Sequence, residues 1–334
     1  LKLPVVKKTK TGYSTNAEVL DKLEEEHPII GHVKEYRTLT KLKSTYCDGL
    51  LNVLERDGKI HSKFNQTVTV TGRISSTEPN LQNIPVRTEL GREMRRMFTV
   101  SDEDYILLDA DYSQIELRVL AHISGDERLI QAFIDEEDIH TITASQVFGV
   151  SPELVSSEMR RSAKAVNFGI VYGISDFALA QDLHITKKQA KAYMDGYLEK
   201  YSGVRKYMDD IVEEAEQNGY VSTILGRRRY IPELKSGKFQ ERSFGKRVAL
   251  NTPIQGSAAD IIKIAMVKVH AALQEKKLKS RLILQVHDEL IVETHKSEVE
   301  QVKQMLSECM QNAVSLAVPL VAEVKTGRSW YEAK

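Results

Sequence analysis

Arg160, Lys164, Phe168 and Tyr172 recur every fourth residue in RRSAKAVNFGIVYG, two cations followed by two aromatics. On a helix that spacing sets all four along one flank, over about 18 Å of axis. A cation pair suits a polyphosphate and an aromatic face suits a base, so the stripe has the chemistry to hold a nucleoside triphosphate lengthwise. Spacing alone fits better an amphipathic helix with snorkelling bases and core aromatics, so further chemistry has to come from elsewhere in the chain.

Two carboxylates supply it. Asp111 ends the apolar run YILLDAD, and Asp288 sits far along the chain in QVHDELIVE. Oxygen donors without His or Cys partners suit Mg²⁺, which takes one or two carboxylates plus substrate phosphates. Two such ions, roughly 3.5 to 4 Å apart, activate an attacking hydroxyl and stabilise a leaving pyrophosphate in line. A lone strand-end Asp is more commonly a turn or cap residue. His287 beside Asp288 opens a second reading, a metal-dependent phosphohydrolase with a His-Asp ligand pair. That reading needs further histidines at coordinating spacing, and the nine here are scattered.

The elements that must position these residues follow from periodicity. Residues 15 to 57 fit a 3.6 period with Pro28 restarting the pattern, which predicts a helical entry segment. From Ile60 to Ile74 the Thr- and Val-rich alternation predicts a strand ending at a Gly-Arg turn. TEPNLQNIPVR has two prolines, two asparagines and no period, and so predicts an extended loop with polar side chains free for contact. YILLDAD predicts a buried central strand. From Ile115 to about Asn218 the chain reads as helices, with Ser151-Pro152 and Thr186 as caps. SRLILQVHDELIVETH reads as a hairpin with an acidic tip, followed by a helix (297 to 315) and a Val-rich strand, PLVAEVKTG. With no repeat and no low-complexity linker, the parts are expected to pack as one interlocked unit.

Composition sets the class. A chain of 334 residues, 41% hydrophobic and 28% charged, is an ordinary folded, water-soluble protein with room for two or three subdomains. It has no apolar run near the roughly 18 residues that span a bilayer and no signal-like start, which makes a membrane partner unexpected and the cytoplasm the default address. Cys47 and Cys309 support neither a disulfide framework nor a zinc site and are expected to be inert buried thiols. Lys and Arg number 47, as do Asp and Glu, so no global positive field draws nucleic acid. Local clusters at 7 to 10, 41 to 43, 91 to 96, 160 to 164 and 226 to 230 could together track a phosphate backbone.

DYSQIELR (111 to 118), RRSAKAVNFGIVYG (160 to 173) and QVHDELIVE (285 to 293) resemble, in order and spacing, the three polymerase motifs of family A DNA polymerases. TGRISSTEPNLQNIP (71 to 85) and NTPIQGSAADIIK (251 to 263) add two more matching stretches, and the likeness runs to the terminal WYEAK. The resemblance implies an α+β right-hand polymerase fold: an antiparallel-sheet palm, a large helical fingers insertion and a truncated helical thumb. Residues 1–60 would be the C-terminal remnant of the thumb, 61–125 and 256–334 the two parts of the palm, and 126–255 the fingers.

The resemblance also implies a DNA-templated DNA polymerase acting in replication and repair. It would add deoxynucleoside triphosphates to the 3′ end of primer-template DNA with two Mg²⁺ ions, for which Mn²⁺ would substitute. Asp111 and Asp288 would be the metal carboxylates, with the Tyr112 carbonyl as an added ligand and Glu289 as a weaker catalytic participant. Arg160 and Lys164 would grip the triphosphate. Lys164 is the better group to protonate pyrophosphate, since lysine titrates and arginine does not. His140 in DIHTITA would add a phosphate contact, although a lone His there reads more simply as a helix cap. Phe168 would stack near the sugar and base, and Tyr172 would hold the template-base position until the fingers close. Glu116 would be the gate that rejects a 2′ hydroxyl, with Ser113 and Gln114 beside it in the nucleotide site. Arg73, Gln82, Asn83, Arg247, Asn251, Gln255 and His287 would contact the DNA largely independently of sequence.

Two departures limit the transfer. Lys246 precedes Arg247 where many relatives carry an acid, which leaves the local charge open. The chain also begins inside what would be the thumb, without upstream exonuclease domains, so weak, salt-dependent DNA binding and poor processivity are expected. A single-subunit RNA polymerase is the enzyme alternative, against which Glu116 argues. A catalytically silent template-primer-binding module is the alternative of another class. The protein is expected to be a monomer associated with the nucleoid.

Overall fold

Asn16 opens the first helix by accepting a hydrogen bond from Val19 N at 3.1 Å, which caps α1 (Ala17–Lys22). Pro28 then stands immediately before α2 (Ile29–Leu42), where its missing N–H is harmless. A π-wound stretch, Lys43–Asp48, leads into α3 (Gly49–Leu51). Val19, Leu20, Leu23 and Ile30 form a small core of their own. The computed structural model describes residues 1–86 and 88–334. Arg87, the last residue of the stretch expected to be loop, lies outside the described residues.

The expected single interlocked unit is instead two compact units, one of Leu1–Asn65 and Ser76–Met97, the other of Gln66–Ser75 and Phe98–Lys334. The first has a separate apolar cluster, which lets it close on itself. It holds β1 (Lys63–Asn65) and the short helix α4 (Glu89–Glu93), with β2 (Ser75–Thr77) at its boundary. The long strand expected from Ile60 to Ile74 does not form. Val68 and Val70 are exposed, Gly72 N donates to Thr69 O at 3.2 Å, and Thr69 Oγ1 donates to Arg73 O at 2.5 Å, closing a turn. Alternation marks a face that needs burial, and here Val68 and Val70 are left uncovered by the described residues. In the Pro- and Asn-rich stretch, Leu81–Asn83 makes one 3₁₀ turn capped by Asn80, so that side chain serves the backbone.

The second unit is built on β3 (Tyr105–Tyr112), whose Leu107, Leu108 and Ala110 are buried. Its near-continuous apolar run fits a strand covered on both faces. From Gln114 the chain turns into α5 (Ile115–Ser124), then α6 (Glu127–Ile134), α7 (Ile139–Phe148), α8 (Ser157–Val171), α9 (Asp176–Asp182), α10 (Lys187–Lys200) and α11 (Ser202–Asn218). Thr186 caps α10 with a full capping box to Gln189. Ser151-Pro152 opens only a 3₁₀ turn, and it is Ser156 that caps α8. The small hairpin of β4 (Tyr220–Ser222) and β5 (Arg228–Tyr230) precedes α12 (Phe239–Glu275), a 37-residue helix running through Pro253.

The expected hairpin is present as β6 (Arg281–Val286) and β7 (Glu289–His295), followed by α13 (Val299–Gln311) and β8 (Ala322–Gly327). The antiparallel sheet order is β6-β7-β3-β8, which places Asp111 of β3 opposite Glu289 of β7. The helices and this sheet share the main core, so the architecture is α+β. Cys47 and Cys309 are half-buried, which corrects the expectation of buried thiols: Cys309 packs at the margin of the main core rather than inside it.

Candidate active site

The sheet register brings the two aspartates to one end. Tyr112 N donates to Asp288 O at 3.1 Å, and Ser113 N donates to Val321 O at 2.9 Å, so the end of β3 is tied to the hairpin tip and to the approach of β8. His287, in the left-handed region at φ 50°, turns the chain between β6 and β7, and Gln285 Nε2 donates to its carbonyl at 2.6 Å. Burial pushes the Asp288 carboxyl up to about 7, helped by the negative charges of Glu116, Asp111 and Glu289 and opposed by Arg73. Lys334, which sequence reasoning missed, donates from Nζ to Asp111 Oδ2 at 2.8 Å and also to Glu289. Its charge offsets part of the surplus of acid.

That surplus is a test of metal fit. Among the described residues no group of three or more His, Cys, Asp or Glu side chains is poised to hold an ion. The donors are two carboxylates and backbone oxygen, which suits a hard cation that brings further oxygens from phosphate and water. Asp288, pushed up by burial and by the like charges of Glu116, Asp111 and Glu289, has the electrostatics such a cation relieves, and the neighbouring Asp111 and Glu289 already hold the Lys334 ammonium.

Gln114, left-handed at φ 52°, sends α5 away from β3 and places Glu116 in its first turn. Glu116 is only 4% exposed and is held from two sides. Arg73 Nη2 donates to its Oε1 at 2.9 Å, and the Tyr172 hydroxyl donates to its Oε2 at 2.7 Å. Arg118 braces the same turn, donating to Ser113 O at 2.8 Å and to Pro319 O at 2.6 Å. Burial and the Glu116 carboxylate push the Tyr172 phenol well above its ordinary value, so it stays a donor.

The tetrad runs down α8 as its spacing requires. Asp138 caps α7, accepting from His140 N at 3.0 Å, and also takes Arg160 Nε at 2.6 Å and Nη2 at 3.3 Å. Burial alone would raise the Asp138 carboxyl, but the bonds from Arg160 and Thr141 outweigh it and hold it at about 2. Its contribution to stability is therefore complete above about pH 4 and is lost as pH falls through 2. Asp138→Ala should lower stability by about 1 kcal/mol through loss of the cap. Scanning calorimetry checks this, and an unchanged melting temperature would remove Asp138 as the residue joining α7 to Arg160.

Lys164 makes no ion pair among the described residues, and its Nζ lies 5.9 Å from the Phe168 ring centre. His140 is buried, with its ring 5.9 Å from that of Phe168. Burial, then the nearby Arg160 and Lys164, lower its imidazole to about 4 against the pull of Asp138. It is thus more than a capping residue, since Asn167 Nδ2 lies 2.9 Å from its Nδ1.

A cleft of about 440 Å³ gathers most of the expected residues: Arg73, Asp111, Tyr112, Gln114, Glu116, His140, Arg160, Lys164, Phe168, Tyr172, His287 and Asp288. Glu289 and Ser113 do not line it. Arg247, Asn251 and Gln255 follow one flank of α12, and a Cβ at Gly173, just beyond α8, would lie 3.4 Å from Arg247 Cγ. Lys246 pairs with Glu216 at 3.1 Å, so its charge is answered by α11. Gln114 Oε1 and Asn251 Nδ2 are buried without a hydrogen-bond partner. Gln82 and Asn83 belong to the other compact unit, where the Tyr46 hydroxyl donates to Asn83 O at 2.5 Å. Asp138, Asn167, Arg118 and Lys334 had no signal in their own spacing, because each acts across a long-range contact.

A model of DNA polymerase family A matches residues 1–332. The chain is 59% identical over 333 residues to DNA polymerase I of Bacillus subtilis (strain 168), covering 99% of this chain and 38% of that protein. It is 56% identical over 335 residues to DNA polymerase I of Geobacillus stearothermophilus, covering 100% of this chain and 38% of that one. The chain thus spans under two-fifths of these curated relatives. The solved POL domain of Pol1 from M. smegmatis, in complex with DNA primer-template and dNTP, superposes with a TM-score of 0.94 at 51% identity, covering all of this chain and 59% of that one.

Proposed function

This chain belongs to DNA polymerase family A, and we propose that it adds deoxynucleotides to a primer 3′ end under the direction of a DNA template. The observation that carries the reading is the shared cleft, in which the α8 stripe faces the carboxylates at the end of the sheet. Residues 126–255 act as fingers, 61–125 and 256–334 as palm, and 1–60 as part of a thumb; the line at 255/256 falls inside α12. The protein works as a monomer in replication and repair, associated with the nucleoid.

Asp111, Asp288 and the Tyr112 carbonyl would hold two Mg²⁺ ions, with Mn²⁺ able to substitute, whose Lewis acidity activates the primer hydroxyl and neutralises the departing pyrophosphate. Glu289, paired with Lys334, tunes the charge beneath them. Arg160, already aimed by Asp138, and Lys164 bind the triphosphate, and Lys164 is the side chain able to give the leaving group a proton. His140 adds a contact to the phosphates. Phe168 stacks beside sugar and base, with Ser113 and Gln114 completing the pocket, and Glu116 excludes a 2′ hydroxyl. Tyr172 stands in the template-base position until α8 swings toward the sheet. Arg73, Arg247, Asn251, Gln255 and His287 contact template and primer, and Gln82 and Asn83 likewise contact DNA.

Pyrophosphate release tests this directly. With primer-template, complementary dNTP and Mg²⁺, one pyrophosphate should appear per nucleotide added, and Asp111→Asn should release none. Release without primer extension would contradict the assignment. A further expected outcome concerns Phe168, where a phenol hydroxyl can replace a missing 3′ hydroxyl in the nucleotide's hydrogen bonding. Phe168→Tyr should reduce discrimination against dideoxynucleotides by about tenfold or more, the worth of one hydrogen bond to a charged group. Sequencing-type termination ladders check it, and equal termination by both proteins would remove Phe168 from the sugar site.

A further inference from the structure

We propose that Asn167 is a positioning residue, which fixes the tautomer of His140 so that Nε2–H points into the cleft as a donor to the phosphates of an incoming nucleotide. The inference rests on the reading of the cleft as a triphosphate site.

Asn167 is fully buried in the interior of α8, a setting for which Asn is a poor choice by helix propensity and by burial. Its Oδ1 has no hydrogen-bond partner, whereas its Nδ2 reaches His140 Nδ1 at 2.9 Å. A residue kept for packing alone would leave neither an orphaned acceptor nor a polar bond across two helices. The bond joins α8 to the first turn of α7, where His140 follows its cap Asp138.

His140 has reason to be neutral. It is buried, it stands at a helix N-terminus, where added positive charge is unfavourable, and Arg160 and Lys164 act against protonation while Asp138 favours it. A neutral imidazole has one donor and one acceptor nitrogen. The amide N–H of Asn167 makes Nδ1 the acceptor, so the proton resides on Nε2. No residue among those described bonds Nε2, and His140 lines the cleft. The distinction matters because phosphate oxygens only accept. The opposite tautomer would turn a lone pair on them, converting a contact into a repulsion. The Phe168 ring, tilted at 42° to the imidazole, packs beside it.

The test begins on the nucleotide-free parent. Long-range ¹H–¹⁵N spectra of histidine-labelled protein, with His140→Gln to assign the resonance, should place the proton on Nε2. A proton on Nδ1, or a doubly protonated ring at pH 8, would overturn the proposal, and this holds whether or not the chain extends primers. Asn167→Leu keeps the volume and removes the amide. It should give a mixture of tautomers and weaken binding of a deoxynucleoside triphosphate, measured as Kd by fluorescence titration, by about tenfold. In the His140→Gln background, where the glutamine amide donates without help, the same substitution should change Kd less than twofold. Equal losses in both backgrounds would show that Asn167 acts through packing, and would also overturn the proposal. If Asn167→Leu does not fold, the parent spectrum decides. Failure of the parent to extend a primer sinks the polymerase reading and leaves the tautomer result intact.

Discussion

Asp288→Asn should lower the rate of primer extension by about a thousandfold or more while making the metal-free chain more stable above neutral pH. The rate loss follows from removing one of two carboxylates in a site whose cation is worth several kcal/mol of charge stabilisation, each 1.36 kcal/mol being about tenfold. The stability gain comes from the same carboxylate. Asp288 has its folded pKa raised to about 7 by burial and by Glu116, Asp111 and Glu289. Below the unfolded value near 3.8 both states are protonated, so there is no effect. As pH rises from about 4 to 7 the unfolded chain ionises and the folded one resists, so stability is progressively lost, and above 7 the loss is constant. Asparagine has no charge to desolvate, so a gain of up to about 4 kcal/mol should appear at pH 8 and vanish near pH 4. Thermal melts at the two pH values check the sign. Added Mg²⁺ should stabilise the parent at pH 8 and leave Asp288→Asn nearly unmoved. A variant that is both active and no more stable would contradict the role given to this carboxylate.

Glu116→Ala should admit ribonucleotides, reducing the preference for deoxynucleotides by about a hundredfold, or roughly 3 kcal/mol of discrimination. Rejection by a side chain requires that the side chain cannot move aside. Glu116 meets that requirement, being clamped by Arg73 at 2.9 Å and Tyr172 at 2.7 Å within the first turn of a buried helix. Removing the carboxylate also leaves Arg73 without its partner, and breaking a buried pair costs about 3 to 5 kcal/mol at most, less here because Arg73 is partly exposed. Glu116→Gln serves as the control, keeping the volume and most of the hydrogen bonding. Its ratio should stay within a few-fold of the parent. Single-nucleotide incorporation with ribo- and deoxynucleotides on one primer measures both, and an unchanged ratio in Glu116→Ala would remove the gate.

What could be read from the sequence divides along physical lines. β3 was legible because its apolar run is too short for a helix and too continuous for an exposed strand. The hairpin was legible because two such runs flank a two-residue tip, and the α8 stripe because a four-residue spacing has one geometric meaning on a helix. The segment after β1 shows where local pattern fails: Val68 and Val70 alternate as a strand would, but a strand exists only where something pairs with it and covers it. The family resemblance brought Asp111 and Asp288 together before the fold did. It did not supply the pairings that hold the site in shape. Arg73 meets Glu116 across 43 positions, Asn167 meets His140 across 27 and Lys334 meets Asp111 across 223. Those partners come from how α7 packs on α8 and how the end of the chain returns to the sheet, and no periodicity encodes them.

The stripe on α8 therefore works only as one wall of a cleft whose other wall is the acidic end of the sheet. Template-directed incorporation by this chain tests that most directly. Four parallel reactions would each contain one primer-template, one dNTP and Mg²⁺, resolved to single nucleotides. Extension by one residue is expected only with the dNTP complementary to the template, and none when Mg²⁺ is chelated. A stable protein–DNA complex that adds no nucleotide in any of the four reactions would contradict it, and would leave a silent template-primer-binding module as the reading that stands.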